Sequence, residues 1–331
     1  MKIAFFDTKP YDVAAFAPLA ERFGYGIKFF DNRLNADTAP MAAGYDAVCA
    51  FVGDTLDEPA LKRLEEAQVK LIALRSAGYN NVDLKAAWGR IKVVRVPAYS
   101  PAAVAEHAAA LLLCLNRKIH RAYIRTRDNN FSINGLMGFD LRGKTAGVVG
   151  TGRIGQLFIE ICRGFGMEVL AYDPHPIPGA DIRYVSLDEL CAQADVLSLH
   201  CPLTPDTHHL IGRERLARVK PGLILLNTSR GGLIDTDALI EALKEDRVGG
   251  AGLDVYEEEE AYFFEDHSDR FVADDDLARL LSFPNVLITS HQGFFTREAM
   301  RAITDTTMEN IRAFAQGEPL QNEICWQCAN G

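Results

Sequence analysis

Three short runs carry side chains suited to acid–base and carboxylate chemistry. In "NTSRGGLID", Arg230 follows directly on an apolar run. In "LDVYEEEE", Asp254 closes a second run and Glu259 stands a little beyond it, and in "TSHQGFF" His291 closes a third. If these runs are strands of one parallel sheet, all of these side chains project at its carboxyl edge, where doubly wound folds bind ligands. A guanidinium there can grip a carboxylate through two parallel hydrogen bonds, which an ammonium cannot do. A histidine can give or take a hydroxyl proton near neutral pH. A carboxylate beside it would hold its tautomer and stabilise the imidazolium. These are the parts of a hydride-transfer site, although spacing alone leaves open whether they meet.

The cofactor for such a step is indicated by "VVGTGRIGQLFIEICRGFGMEVLAYD". Gly150, Gly152 and Gly155 form G-x-G-x-x-G between an expected strand and an expected helix. The first glycine permits the tight turn, the second lets the backbone approach a pyrophosphate, and the third closes the helix onto the strand. The phosphates then sit at the helix N-terminus, where unpaired N–H groups favour negative charge. Asp173 follows at the end of the next strand, close to the ~20 residues at which an acid meets the ribose hydroxyls. A carboxylate there repels a 2′-phosphate, so NAD is expected rather than NADP.

The elements that must position these residues alternate along the chain. Short Val- and Ile-rich runs are followed by helical patterns, the signature of β-α units on parallel sheets. In the first third, strands are expected at "KIAFFD", "YDAVCAFV", "KLIALRS" and "IKVVRV", with a helix at "EPALKRLEEA". From Pro101, which suits a first helical position, one long helix is expected through "PAAVAEHAAALLLCLNRKIHRAYIRTR". Six further strands, "TAGVVG", "MEVLAYD", "ADVLSLH", "GLILLNTS", "GAGLDVY" and "NVLITS", read as buried on both faces and fit a doubly wound sheet. The acidic stretch "EEEEAYFFEDHSDRFVADDD" reads mainly as a solvated loop.

Composition excludes other classes. The 331 residues suit two domains, and a net charge of −10 without a concentrated basic patch argues against nucleic acid as a partner. No apolar run approaches the roughly 18 residues of a membrane span. The N-terminus reads as a strand and not a secretion signal. Among the seven cysteines, Cys49, Cys114, Cys162, Cys191 and Cys201 lie in apolar contexts, which suggests buried thiols in a reducing compartment, the cytoplasm. The pair in "CWQC", Cys325 and Cys328, has metal or redox spacing, but no second Cys or His pair follows to complete a zinc site, and no metal is expected.

Taken in order, "VVGTGRIG", "SLHCPLTPDTHHLI", "NTSRGGLIDTDALIEAL", "GLDVYEEE" and "TSHQGFFT", with "RSAGYNNVDL" and "VPAYSPAAVAEH" before them, resemble the motif set of the NAD-dependent D-2-hydroxyacid dehydrogenases over essentially the whole chain. The resemblance implies an α/β architecture with a doubly wound Rossmann cofactor domain, 101–297, inserted in a flavodoxin-like substrate domain made of 1–100 and 298–331. It also implies roles. His291 would be the acid/base and Glu259 its partner, and Arg230 would bind the substrate carboxylate and polarise the carbonyl. Asp254 would influence the pair and the nicotinamide. The backbone of Ala77 and Gly78 would hold the carboxylate, with Tyr99 nearby, while Phe294 and Phe295 would shape the side-chain pocket. Arg153 and Ile154 would cover the pyrophosphate, and Asp173 would hold the ribose. His200, Cys201, Pro202 and Thr207 would line the adenine side, and Thr228 would lie under the nicotinamide. Tyr79 stands where smaller residues are frequent in the family, and "CWQC" matches none of its motifs.

Within the family, "AYFFEDHSDRFVADDDLARLLSFPNVLITSHQGFFT" is similar to the fermentative group that interconverts pyruvate and D-lactate. Larger 2-oxo acids, as in the 2-hydroxyisocaproate type, are the alternative, and a non-enzymatic NAD-sensing corepressor is a further one. A homo-oligomer, dimer or tetramer, is expected from the long apolar helix after Pro101.

Overall fold

The computed structural model describes residues 1–329, and side chains as far as 327. The chain forms two compact units, one made of 1–100 and 295–331, the other of 101–294. The return to the first unit comes at Phe295, earlier than the expected 297/298 boundary. Phe295 is held there by the Tyr11 ring, which meets it edge-on at 4.8 Å between centroids.

The first unit is built on a five-stranded parallel sheet: β1 (Lys2–Phe5), β2 (Gly26–Phe29), β3 (Ala47–Ala50), β4 (Leu71–Leu74) and β5 (Lys92–Val94), in the order β2-β1-β3-β4-β5. This is the flavodoxin-like order. β3 and β4 are buried at every position, as covered parallel strands must be. β2 is absent from the expected set, and the reason lies in its burial. "GIKF" alternates exposed and half-buried residues at the sheet edge and shows no apolar run.

The second unit carries seven parallel strands: β6 (Thr145–Val149), β7 (Glu168–Tyr172), β8 (Arg183–Tyr184), β9 (Val196–Leu199), β10 (Leu223–Asn227), β11 (Val248–Leu253) and β12 (Val286–Ile288). Their order is β12-β11-β10-β9-β6-β7-β8, the doubly wound Rossmann order with one strand added beyond the sixth. The strand missing from the expected six is β8, an edge pair of residues too short to leave a pattern. The switch point falls between β6 and β9, beside the glycine loop.

The long helix expected after Pro101 is two helices, Pro101–Arg117 and Ile119–Arg127. Lys118 breaks it with a left-handed backbone, φ 50°. No Gly or Pro announces the break. The first helix buries Ala105, Ala108, Leu111, Leu112 and Leu115, which join Val148, Phe158, Ile159 and Leu226 in one apolar core. Burying each leucine among them contributes about 1.5–3 kcal/mol.

The acidic stretch after Glu257 is also more than a solvated loop. Phe263 is buried within the second unit's core, and the Tyr256 hydroxyl donates to Asp274 at 2.8 Å. The Tyr262 hydroxyl accepts from the Asp274 amide at 2.9 Å. Aromatic rings among acidic residues dock the segment. Cys325 is buried near the end of the first unit, and the side chain of Cys328 lies outside the described residues.

Candidate active site

The glycine loop follows from steric necessity. Gly150 has φ 90°, and a Cβ on it would stand 2.7 Å from the His200 carbonyl oxygen. A Cβ on Gly155 would lie 2.0 Å from the Gly150 carbonyl oxygen, so loop and helix can close only on glycine. Gly152 differs: a Cβ there would meet nothing within 4 Å, which leaves open space at the helix start formed by Arg153 and Ile154.

Asp173 ties this loop down. Its Oδ2 accepts from the Thr151 amide at 2.7 Å and the Thr151 hydroxyl at 3.0 Å, and its Oδ1 accepts from the His175 amide at 2.9 Å. Burial works to raise its pKa, but the hydrogen bonds from Thr151 and His175 outweigh it, and the carboxyl is held below the usual range. Asp173 is therefore an ionised carboxylate beside the glycine turn.

The β9 end carries His200, Cys201 and Pro202. The His200 ring turns inward: Nε2 meets Ser198 Oγ at 2.9 Å, and Phe158 lies 5.1 Å away between centroids. Burial pushes its pKa down to about 3, so the ring is neutral. This orientation puts its imidazole into the core, where an adenine-lining role would use only its backbone. Burial likewise pushes the half-buried Cys201 thiol up to about 11. The Thr207 hydroxyl accepts from the Thr204 amide and donates to the Pro202 carbonyl, both at 2.7 Å, which shapes the turn after β9.

At the end of β10, the buried Thr228 hydroxyl has no partner among the described residues. A buried orphan hydroxyl calls for a ligand group. With the open space at Gly152 and the ionised Asp173, the donor set fits a dinucleotide with free ribose hydroxyls.

Arg230 follows with extended backbone, φ −146°. Its carbonyl accepts from Asn227 Nδ2 at 2.8 Å, and its own Nη1 donates to the Ser229 carbonyl at 2.6 Å. The next residue joins this strand end to that of β11. A Cβ on Gly231 would lie 2.1 Å from the Tyr256 carbonyl, so only glycine lets the two segments meet.

His291 Nδ1 lies 2.7 Å from Glu259 Oε1. Both side chains are about four-fifths shielded from solvent. Glu259 is itself fixed, its Oε2 accepting from the Tyr256 amide at 3.0 Å. With Nδ1–H directed at the carboxylate, Nε2 is the nitrogen left to handle a substrate proton. His291 sits at φ 52°, and its amide donates to the Asp254 carbonyl at 2.7 Å.

Asp254 does not reach the imidazole. It organises the turn that carries it: the buried carboxylate accepts from Thr289 Oγ1 at 2.6 Å, the Gln292 amide at 2.9 Å and the Gly293 amide at 2.7 Å. Burial opposes its charge, but hydrogen bonds from His107, Thr289 and Gly293 prevail, and its pKa is held low. His107, 3.2 Å from Asp254 and 3.1 Å from Thr289 Oγ1, is a site residue that sequence reasoning missed. "VPAYSPAAVAEH" contained it, but helical spacing does not say which strand end a helix crosses. Phe264, 5.9 Å from His291 between ring centroids, was missed for a similar reason, inside an acidic stretch read as loop. Phe294 is half-buried and adjoins this turn in sequence.

In the first unit, the carbonyls of Ala77 and Gly78 are engaged by Arg95 Nη1 at 2.7 Å and Ser76 Oγ at 2.8 Å. Tyr79 lies under the same arginine, its ring 5.1 Å from the guanidinium carbon. Tyr99 is half-buried, and Phe295 is half exposed at the Tyr11 contact.

Comparison with known proteins identifies the family. The family profile "D-isomer specific 2-hydroxyacid dehydrogenase, NAD binding domain" matches residues 109–293. A protein of Escherichia coli K12 named D-lactate dehydrogenase is 50% identical over 328 residues, 98% of this chain and 100% of that protein. The apo structure of D-lactate dehydrogenase from Escherichia coli superposes with a TM-score of 0.89 at 48% identity, covering 98% of this chain and 100% of the other. A D-lactate dehydrogenase with NAD⁺ from Lactobacillus jensenii gives a TM-score of 0.81 at 34% identity, covering 98% and 99%. The chain belongs to the D-isomer-specific 2-hydroxyacid dehydrogenases, and 109–293 is their NAD-binding domain.

Proposed function

We propose that the protein is an NAD-dependent D-lactate dehydrogenase that interconverts pyruvate and D-lactate. The observation that carries the reading is the 2.7 Å contact between His291 Nδ1 and Glu259, in a chain 50% identical to an Escherichia coli protein named D-lactate dehydrogenase. Reduced NAD, when bound, supplies the hydride. Arg230 grips the substrate carboxylate and draws electron density from the 2-oxo group. As the carbonyl carbon accepts hydride, His291 Nε2 gives its proton to the carbonyl oxygen, and the product is the 2-hydroxy acid. Glu259 stabilises the imidazolium before that transfer and orients the ring throughout. In the reverse direction, neutral Nε2 takes the hydroxyl proton.

The remaining roles belong to the same proposal. The amides of Ala77 and Gly78 donate to the substrate carboxylate, near Tyr99, while Phe294 and Phe295 limit the substrate side chain. Arg153 and Ile154 cover the pyrophosphate. Asp173 holds the adenosine ribose and excludes a 2′-phosphate. Cys201, Pro202, Thr207 and the backbone of His200 line the adenine side, Thr228 lies under the nicotinamide, and Asp254 steadies both nicotinamide and His291. The protein acts in the cytoplasm as a homo-oligomer. Exposed Ile119, Tyr123, Ile124, Phe131, Ile133 and Met137 supply an apolar surface for association.

The test compares kcat/KM for NADH oxidation with pyruvate and with 4-methyl-2-oxopentanoate, and reads the handedness of the product. Preference for pyruvate with D-lactate formed is expected. Preference for the branched acid would reassign the substrate class and keep the catalytic roles. No turnover of either would remove the enzymatic reading.

A further inference from the structure

Outside this machinery, two neighbouring histidines and a carboxylate converge in the second unit. His208 and His209 follow the turn after β9, and their rings stack at 3.9 Å between centroids and 26° between planes. His209 Nε2 lies 2.6 Å from Glu257 Oε1, and His208 Nε2 lies 3.9 Å from the same oxygen. All three ligand atoms fall within 4.8 Å of one another. We propose that His208, His209 and Glu257 form a binding site for a divalent transition-metal ion of the zinc class.

Adjacent residues rarely aim both rings at one point, and here the backbone brings this about. His209 has φ 50°, a left-handed conformation uncommon outside glycine, and its amide donates to the Gly232 carbonyl at 2.8 Å. The anchor holds the bend that brings both imidazoles to Glu257. Two imidazoles and a carboxylate are the donor set that binds zinc, cobalt and nickel. Metal–ligand bonds of about 2.0–2.1 Å in a tetrahedron place donor atoms roughly 3.3 Å apart. The observed 2.6 and 3.9 Å bracket that spacing. All three side chains are partly exposed, so small rotations complete the geometry and an ion can enter from solvent.

The carboxylate is also oriented from behind. Glu257 Oε2 accepts from Thr236 Oγ1 at 3.0 Å, which leaves Oε1 directed at the histidines, as outer partners of metal ligands do. Three protein ligands leave a fourth position for water. None of the three residues has a part in the hydride-transfer site, so the proposal stands apart from the substrate assignment.

Cobalt(II) is the probe. The full-length protein, treated with chelator, is titrated with Co²⁺ while visible absorption is followed, and Zn²⁺ is then added in competition. One equivalent is expected, with nitrogen/oxygen-type bands, no thiolate charge-transfer band, and displacement by Zn²⁺. His208→Ala, His209→Asn and Glu257→Gln are each expected to weaken binding at least about tenfold. His208 is more than half exposed, so His208→Ala keeps the fold, which an unchanged metal-free Tm verifies. Absence of saturable binding, a thiolate band at one equivalent, or undiminished affinity in His208→Ala would overturn the site and leave the cluster as a loop latch.

Discussion

Replacing Arg230 with lysine keeps the charge and removes the planar fork. The expected result is a fall in kcat/KM for pyruvate of at least about tenfold, because a point charge cannot hold the carboxylate in two parallel hydrogen bonds. Steady-state kinetics of Arg230→Lys checks this, and unchanged values would remove Arg230 from substrate binding. Glu259→Gln keeps the shape of the partner and removes its charge. The imidazolium then loses its neighbouring anion, so pyruvate reduction, which needs protonated His291, is expected to shift its pH optimum towards acid. A pH–rate profile that stays in place would take Glu259 out of the mechanism. Both residues were legible in the sequence as types at a strand end or a little beyond one. The contact between Glu259 and His291, 2.7 Å in the structure, was implied by the family resemblance and not by spacing, because it depends on a turn of 3-10 helix at Glu259–Ala261 inside an acidic stretch.

At the scale of elements, the turn after β12 does the positioning, and Asp254 is its anchor. The side chain of this aspartate is buried and accepts from Thr289, Gln292 and Gly293. Asp254→Asn presents one acceptor oxygen where the carboxylate presents two. A loss of about 1–3 kcal/mol in urea unfolding is expected, since a buried donor would lose its partner. A lower kcat should accompany it, because His291 rides on that turn. A variant with native stability and native kcat would show that the turn holds without the carboxylate. Sequence reasoning gave Asp254 a secondary influence on the catalytic pair. In the structure its carboxylate meets Thr289 and the amides of the turn that carries His291, a detail that needs the register of β11 against β12. The break at Lys118 and the edge strands β2 and β8 escaped notice for a related reason: edge and hinge positions carry no apolar period.

For the molecule as a whole, His200, half-buried with its ring turned into the core, couples stability to pH. Its folded pKa of about 3 lies below the unfolded value of about 6.5. Between these values the unfolded chain binds the proton and the folded chain does not, so this residue lowers stability as pH falls through that window. His200→Gln is expected to flatten the decline of the urea midpoint between about pH 6.5 and 4 relative to the parent protein. Parallel declines would show that the ring is solvated. Association is tested at the exposed apolar surface: Ile133→Asp is expected to shift the protein towards monomer in sedimentation velocity. An unchanged profile would place the interface elsewhere.

By itself the sequence determined the two α/β sheets, the glycine turn with the acid that follows it, and the side-chain types suited to acid–base and carboxylate chemistry. Each is written locally, in strand-length apolar runs, in glycines that tolerate φ near 90°, and in charged side chains placed where strands end. Spacing left open which of these meet, and tertiary structure decided it. Glu259 reaches His291, Asp254 holds the turn beneath it, His107 joins from a distant helix, and His200 turns into the core. Those choices are made by sheet order and by segments that cross, and contacts between residues far apart in the chain leave no period to read.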